Sequence, residues 1–290
     1  MSEYTPLLLA LFAAFLFAIG GQLQNLGVKT VDSRTGTAIS ISTSALMCWC
    51  AAPFFMDWSA WAHPAVLIFM AVGIFRPALS ANFSVVGIRY LGPTLSSTLS
   101  STSPLFGLAL GILVLGEVLT WQTALGTVGI VVAVVMLSRR GKMTEVSWPV
   151  WALLFPVAAA AIRSAAHVLS KVGMEFIPDP YFATVVGFTV SAVVATGARF
   201  VKKADVPFTW NASGPRWFAL AGLTFGSAVV CLNQALLIGK VVTVVPIIAA
   251  SPIFSMMLSL IVFRREVLTL RIAAAVLVVC GSVILIALNR

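Results

Sequence analysis

Apolar positions along this chain form long unbroken runs, with neither the alternation of a half-buried strand nor the narrow stripe of a surface helix. Ten windows of roughly 20 mostly apolar residues follow one another, at about 6–27, 36–56, 64–89, 94–115, 119–138, 149–172, 181–200, 215–238, 242–263 and 268–288. A helix of about 20 residues crosses a hydrocarbon core. The pattern predicts an all-α membrane protein of ten transmembrane helices, joined by connections too short to hold a soluble domain. Two features interrupt the apolar runs: eight hydroxyl side chains packed between Thr94 and Ser103, and two arginines, Arg76 and Arg163, set well inside spans.

Composition agrees. The 290 residues are 60% hydrophobic and 9% charged, whereas soluble proteins carry about 25% charged residues. The net charge of +9 would suggest nucleic acid in a soluble protein. Here the bases flank apolar spans, which is a topology signal, and no nucleic-acid partner is expected. In a ten-span reading Lys29, Arg34, Arg89, Arg139, Arg140, Lys142, Arg199, Lys202, Lys203, Arg216, Arg264, Arg265 and Arg271 fall on one side, with only Lys171, Lys240 and Arg290 on the other. The positive-inside rule then places both termini outside. Cys48, Cys50, Cys231 and Cys280 all lie within spans and read as small apolar residues. The first residues lack the basic start of a cleaved signal peptide. Tryptophans such as Trp58, Trp151 and Trp217 gather at span ends, as an interfacial belt does.

The second half of the chain echoes the first. Ser103-Pro104 matches Ser251-Pro252, Gly107 and Gly111 match Ser255 and Ser259, and Glu117-Val118-Leu119-Thr120 matches Glu266-Val267-Leu268-Thr269. Both copies carry a small-xxx-small face that lets helices approach. Upstream, the stretch from Leu23 resembles that from Leu169. The copies span 1–141 and 147–290. Five spans per copy is odd, so the second enters the membrane inverted, an arrangement that sets a binding site near the midplane between the halves.

These residues, above all 87–137 and 235–288, resemble the EamA-type modules of the drug/metabolite transporter superfamily. The resemblance implies ten helices around a central cavity lined mainly by spans 1, 3, 4, 6, 8 and 9, with spans 5 and 10 supporting from outside. It implies no substrate. It also implies termini inside, against the charge pattern, and the charge is followed here.

Gly92-Pro93 reads as the turn between spans three and four, which makes the hydroxyl run the first half of a cavity-lining helix. Thr94, Thr98 and Ser101 share one face. Ser and Thr also serve packing and bond their own helix carbonyls, but the second copy carries "VVTVVPIIAASP" in register, with far fewer hydroxyls. Recognition of a polar substrate by the first copy accounts for that asymmetry. An arginine at a helix centre costs about 2.5–3.5 kcal/mol on insertion scales, so Arg76 and Arg163 are expected to face a cavity. His167 lies one turn from Arg163, and Pro77 should free a carbonyl beside Arg76. No acid falls centrally in a span. Glu117 and Glu266 are expected to cap the start of the helix that follows each. Cation exporters of the small multidrug-resistance type use a first-helix carboxylate. The matching helices here offer Gln22, Gln24 and Asn25, and Arg163 and His167, which points to an anionic or zwitterionic substrate held by guanidinium groups. Asn82, Ser227, Asn233 and Gln234 complete the polar candidates.

The expected function is a secondary active transporter of a small polar metabolite, working by alternating access, in the cytoplasmic membrane. The alternatives are a lipid flippase or non-catalytic membrane component on the same scaffold and, more remotely, an intramembrane lipid-modifying enzyme. An enzyme is disfavoured because the chain has only His63 and His167, with no H-E-x-x-H and no carboxylate pair at helical spacing. No phosphate-binding G-x-x-x-x-G-K-[ST] loop occurs. No cofactor, metal or catalytic residue is expected. The partners are the substrate and membrane lipid, with monomer and homodimer both open.

Overall fold

The computed structural model describes residues 4–28, 30–138, 149–201, 213–262 and 270–288. Regular structure among them is entirely helical. The first copy contributes α1 (Thr5–Gly27), α2 (Ser33–Phe55), α3 (Val66–Ile74), α4 (Ser80–Ser100), α5 (Ser103–Leu115) and α6 (Trp121–Ser138). The second contributes α7 (Leu154–Phe176), α8 (Pro180–Val201), α9 (Ser213–Ile238), α10 (Val241–Ile248), α11 (Ser251–Ile261) and α12 (Leu270–Ala287). Six segments are long and apolar enough to cross a membrane: Thr5–Gly27, Arg34–Phe55, Val150–Phe176, Pro180–Ala198, Ser213–Ile238 and Val241–Ile261. Ser103–Leu115, Trp121–Leu137 and Ile272–Ala287 are shorter apolar helices.

The helix breaks follow from local chemistry. Pro77 cannot donate to the carbonyl four residues back, and the chain answers with a π turn, Phe75–Leu79, between α3 and α4. Helical bonding continues through Gly92-Pro93, but the path of the chain reverses around it. A Cβ on Gly87 would stand 3.0 Å from the Ser96 hydroxyl, whereas nine residues of straight helix span about 13.5 Å. The break in helix assignment comes later, at Ser101–Thr102, and its counterpart is Ala249–Ala250. Each precedes the Ser-Pro pair that opens the next helix, with proline in the first turn, where its missing N–H is harmless. α5 ends on Gly116 in the left-handed region, φ 64°, which glycine adopts without penalty.

Two helix seams hold the halves together, and they are built alike. α1 packs on α9, and α7 packs on α3 and α4. In the first seam Gly27 receives the buried ring of Phe218; in the second Gly173 receives the buried ring of Phe69. Flanking helices repeat the match. The Ser44 hydroxyl of α2 lies 2.6 Å from Gly222 O and 2.9 Å from Ser40 O. The Ser191 hydroxyl of α8 lies 2.8 Å from Gly73 O and 2.7 Å from Gly187 O. Glycine is needed at Gly73 and Gly222 because a Cβ there would meet a facing backbone oxygen at 2.7 and 2.4 Å. α6 and α12 pack on each other, with Gly126 and Gly129 against Ser282 and Ile286.

Glu117 does not cap its own next helix, as expected from sequence. Its carboxylate reaches across to the second copy and accepts from the N–H groups of Val241 and Val242, at 2.7 and 2.8 Å, at the start of α10. The left-handed turn at Gly116 and the absence of a side chain at Gly111, whose Cβ would stand 3.2 Å from Oε2, make room for that reach. Lys171 of α7 closes the other side of the same junction, donating to Leu236 O at 2.8 Å and to Gly239 O at the end of α9. A carboxylate at a helix start and an ammonium at a helix end are both favoured by the helix dipole. Glu266 lies outside the described residues.

Candidate functional site

Between the two seams lies a cavity of about 860 Å³, within the range that takes small organic ligands. The π turn, α4 and α7 contribute Arg76, Ser80, Ser84, Arg163, His167 and Ser170 to its wall. Facing positions come from Phe17 and Gln24 of α1 and from Phe225, Val229 and Asn233 of α9. None of the described residues that line it is acidic.

The register across the α7 seam brings the two arginines together. The Ser80 hydroxyl contacts Ala159 O at 3.4 Å, and Phe69 meets Gly173, so the helices run antiparallel. One turn back from Ser80 and one turn on from Ala159 are Arg76 and Arg163, close enough for their charges to repel. His167 follows one turn further. Arg76 donates no hydrogen bond to any described residue, although a guanidinium has five N–H groups to place. Among the described residues Arg163 makes one long contact, 3.5 Å, to Ser100 O. The π turn bears directly on this site. Pro77 withdraws the helical donor from Gly73 O, Ser191 supplies a hydroxyl there, and Arg76 projects from the widened turn into the cavity. π turns recur at functional sites for this reason.

Asn233 has a fixed orientation. Thr184 gives its one hydroxyl proton to Pro180 O at 2.7 Å, so it can only accept from the Asn233 amide, at 2.9 Å. The amide nitrogen is thereby committed, and Oδ1 is buried without a partner. His167 Nδ1 and Ser84 Oγ are also buried without partners. Buried polar atoms in that condition are rare in folded proteins, and three of the four found among the described residues belong to this one cavity.

The sequence matches the EamA-like transporter family twice, over residues 5–139 and 150–287. The chain belongs to that family. A solved crystal structure superposes on it with a TM-score of 0.80 at 19% identity, over 98% of this chain and 96% of the other. No curated protein matches it significantly. Membership makes this a multi-pass membrane protein of a transporter family in the drug/metabolite transporter superfamily.

Within this EamA-like frame the sequence candidates separate. Arg76, Arg163, His167, Ser101 and Asn233 lie on the cavity wall. Gln22 does not. It is buried in the seam and donates to Ser255 O and Oγ at 2.8 and 2.9 Å, tying α1 to α11. Asn25 is exposed on the outer side of α1, and its neighbour Gln24 takes the cavity position. Gln234 is half-buried and off the wall. Asn82, Thr94 and Thr98 lie on α4, but their side chains fall outside what the structure describes. Elsewhere in the hydroxyl run, Ser100 and Ser103 reach the cavity, while Thr102 bonds its own helix at Leu99 O, 2.7 Å.

The walls are also wider than the resemblance implied. α2 lines the cavity with Thr37, Ser40 and Ser44, α8 with Thr184, Gly187 and Ser191, and α6 with Ile130, Val131 and Val134. The signal for α2 was present in the sequence as Thr37, Ser40 and Ser44 at helical spacing within an apolar span. α12 stays outside, against α6.

Proposed function

We propose that this protein is a secondary active transporter of a small anionic or zwitterionic metabolite, bound between its two copies at Arg76 and Arg163 and moved by alternating access. The observation that carries the reading is the Arg76 guanidinium: set on a π turn, facing a cavity with no acidic residue among its described lining, and donating to no described residue. A charge so placed is expensive in a bilayer and characteristic of a substrate pathway. His167, Ser101 and Asn233 would read the rest of the substrate, with Thr94, Thr98 and Asn82 of α4 as further contacts. In this reading ten spans in two inverted five-helix copies, 1–141 and 147–290, would supply the two states, and the charge of the loops supports both termini lying outside the cytoplasmic membrane. Substrate gradients or exchange would drive the cycle, without a cofactor.

The test is flux in proteoliposomes for Arg76→Gln and Arg163→Gln, against carboxylates and phosphate esters, beside the melting temperature of each protein. Flux should vanish with no loss of stability, since removing a buried charge that has no acidic partner among the described residues relieves a penalty. Undiminished flux in both variants would falsify the anion site. Labelling cysteines placed singly at Ser2 and Arg290 with an impermeant reagent on intact cells reads the orientation, and protection of both would reverse it.

A further inference from the structure

The two seams can be superposed residue by residue through their shared contacts. Gly27 with Phe218 corresponds to Gly173 with Phe69, and the Ser44–Gly222 bond corresponds to the Ser191–Gly73 bond. Counting along α1 and α7 from the two glycines, Arg163 corresponds to Phe17. Counting along α9 and α3 from Gly222 and Gly73, Arg76 corresponds to Phe225. Phe17 and Phe225 are themselves a pair, ring centroids 6.1 Å apart, and both line the cavity. The cavity thus has two matching walls at the same depth of the repeat. One carries two guanidinium groups and the other two aromatic rings.

From this we infer that the substrate is an organic dianion with a flat apolar body, its charged end at Arg76 and Arg163 and its body against Phe17 and Phe225. The inference rests on the anion site proposed above and narrows it. Two adjacent guanidinium groups stay charged at all relevant pH, and no acidic side chain among the described lining residues offsets either. A ligand with two negative charges neutralises both, and a monoanion leaves one unpaired in a low-dielectric site. A zwitterion brings an ammonium into a cavity that offers it no carboxylate and two like charges. Across the cavity the ring pair gives an apolar, planar surface, so inorganic anions would fill only half of the site.

A series with one phenyl body isolates the charge: phenyl phosphate, phenylacetate, phenylalanine and phenethylamine, with inorganic phosphate as the charge without the body. Binding to the purified full-length protein is read by thermal shift and by equilibrium dialysis of labelled probe. Phenyl phosphate should bind tightest of the series and inorganic phosphate at least ~10-fold more weakly. Arg76→Gln and Arg163→Gln should each weaken phenyl phosphate by ~30-fold or more, as truncation of a buried charge pair does. Phe17→Leu and Phe225→Leu should narrow the gap between phenyl phosphate and inorganic phosphate. The wild-type comparison of those two probes stands even if these variants fold poorly. Tighter binding of phenylalanine or phenylacetate, still lost in the Arg→Gln proteins, overturns the dianion and leaves the anion site intact. Equal binding of phosphate and phenyl phosphate overturns the apolar body. Preference for phenethylamine, binding indifferent to both arginines, or silence to every probe at millimolar concentration overturns the anion site and this inference with it.

Discussion

The α1–α9 seam and the α3/α4–α7 seam are one crossing built twice, and they differ where the cavity begins. Both use a glycine to seat a phenylalanine and a serine to hold a glycine carbonyl. Beyond that shared frame the first seam closes with the rings of Phe17 and Phe225, while the second presents Arg163 and Arg76. On the function proposed above, the frame serves stability and the divergent pair serves the ligand. A residue common to both seams should matter to folding, and a residue found in only one should matter to binding.

The largest effect expected from this comparison falls on the shared glycines. In Gly27→Leu and Gly173→Leu the new Cβ would stand 2.6 and 2.5 Å from a buried ring. Overpacking of this kind costs about 3 kcal/mol, so both proteins should lose yield and melting temperature alike. A large loss in one seam only would break the comparison. Pro77→Ala comes next. Restoring an N–H inside the helix should raise the melting temperature while closing the π turn that aims Arg76, and anion binding should fall by roughly tenfold. Unchanged binding would mean that the turn does not position the guanidinium.

Glu117→Ala removes the cap from α10 and should cost about 1–2 kcal/mol in thermal or denaturant unfolding, with Glu117→Gln losing less. Ser191→Ala and Ser44→Ala sharpen the comparison further. Each deletes one hydroxyl bond worth about 1 kcal/mol. The loss should be greater at Ser191, because Gly73 O cannot fall back on a donor from Pro77, whereas Gly222 O keeps the N–H of Gly226. The smallest effect belongs to the hydroxyl run. Replacing Thr94, Thr98 and Ser101 together by Ala should lower substrate affinity a few fold with little loss of folded protein. Thr243→Ala and Ser251→Ala should do less, and equal losses would assign the run to packing.

Much of this was legible in the chain. Length and apolarity of the runs marked the helices, the Ser-Pro and Glu-Val-Leu-Thr echoes marked the repeat, and proline beside arginine marked a helix that could not stay regular. The phase of polar residues around α1 was not legible. Gln22, Gln24 and Asn25 are spread over an arc of about 160° of a helix, and in a membrane the outward face is as apolar as the packed one. Hydropathy therefore could not say that Gln22 turns to Ser255, Gln24 to the cavity and Asn25 outward. The reach of Glu117 was hidden for a different reason: its partners Val241 and Val242 are backbone groups 124 and 125 residues away, and backbone donors leave no mark in a sequence. The correspondence of Arg76 with Phe225 was hidden as well, because an arginine and a phenylalanine share no likeness until the glycine and serine contacts around them set the register.

That correspondence has a consequence for how such a protein can be assembled at all. Two separate copies of one repeat unit related by a two-fold axis must present the same pair of side chains at both crossings. Built from either copy, such a pair would set one ring against one guanidinium group at both crossings, and never two guanidinium groups at one crossing and two rings at the other. Joining the copies in a single chain lifts that requirement, because each crossing then has its own codons. The polarity of this cavity, cationic on one wall and aromatic on the other, is a property that no symmetric pair of identical copies can possess.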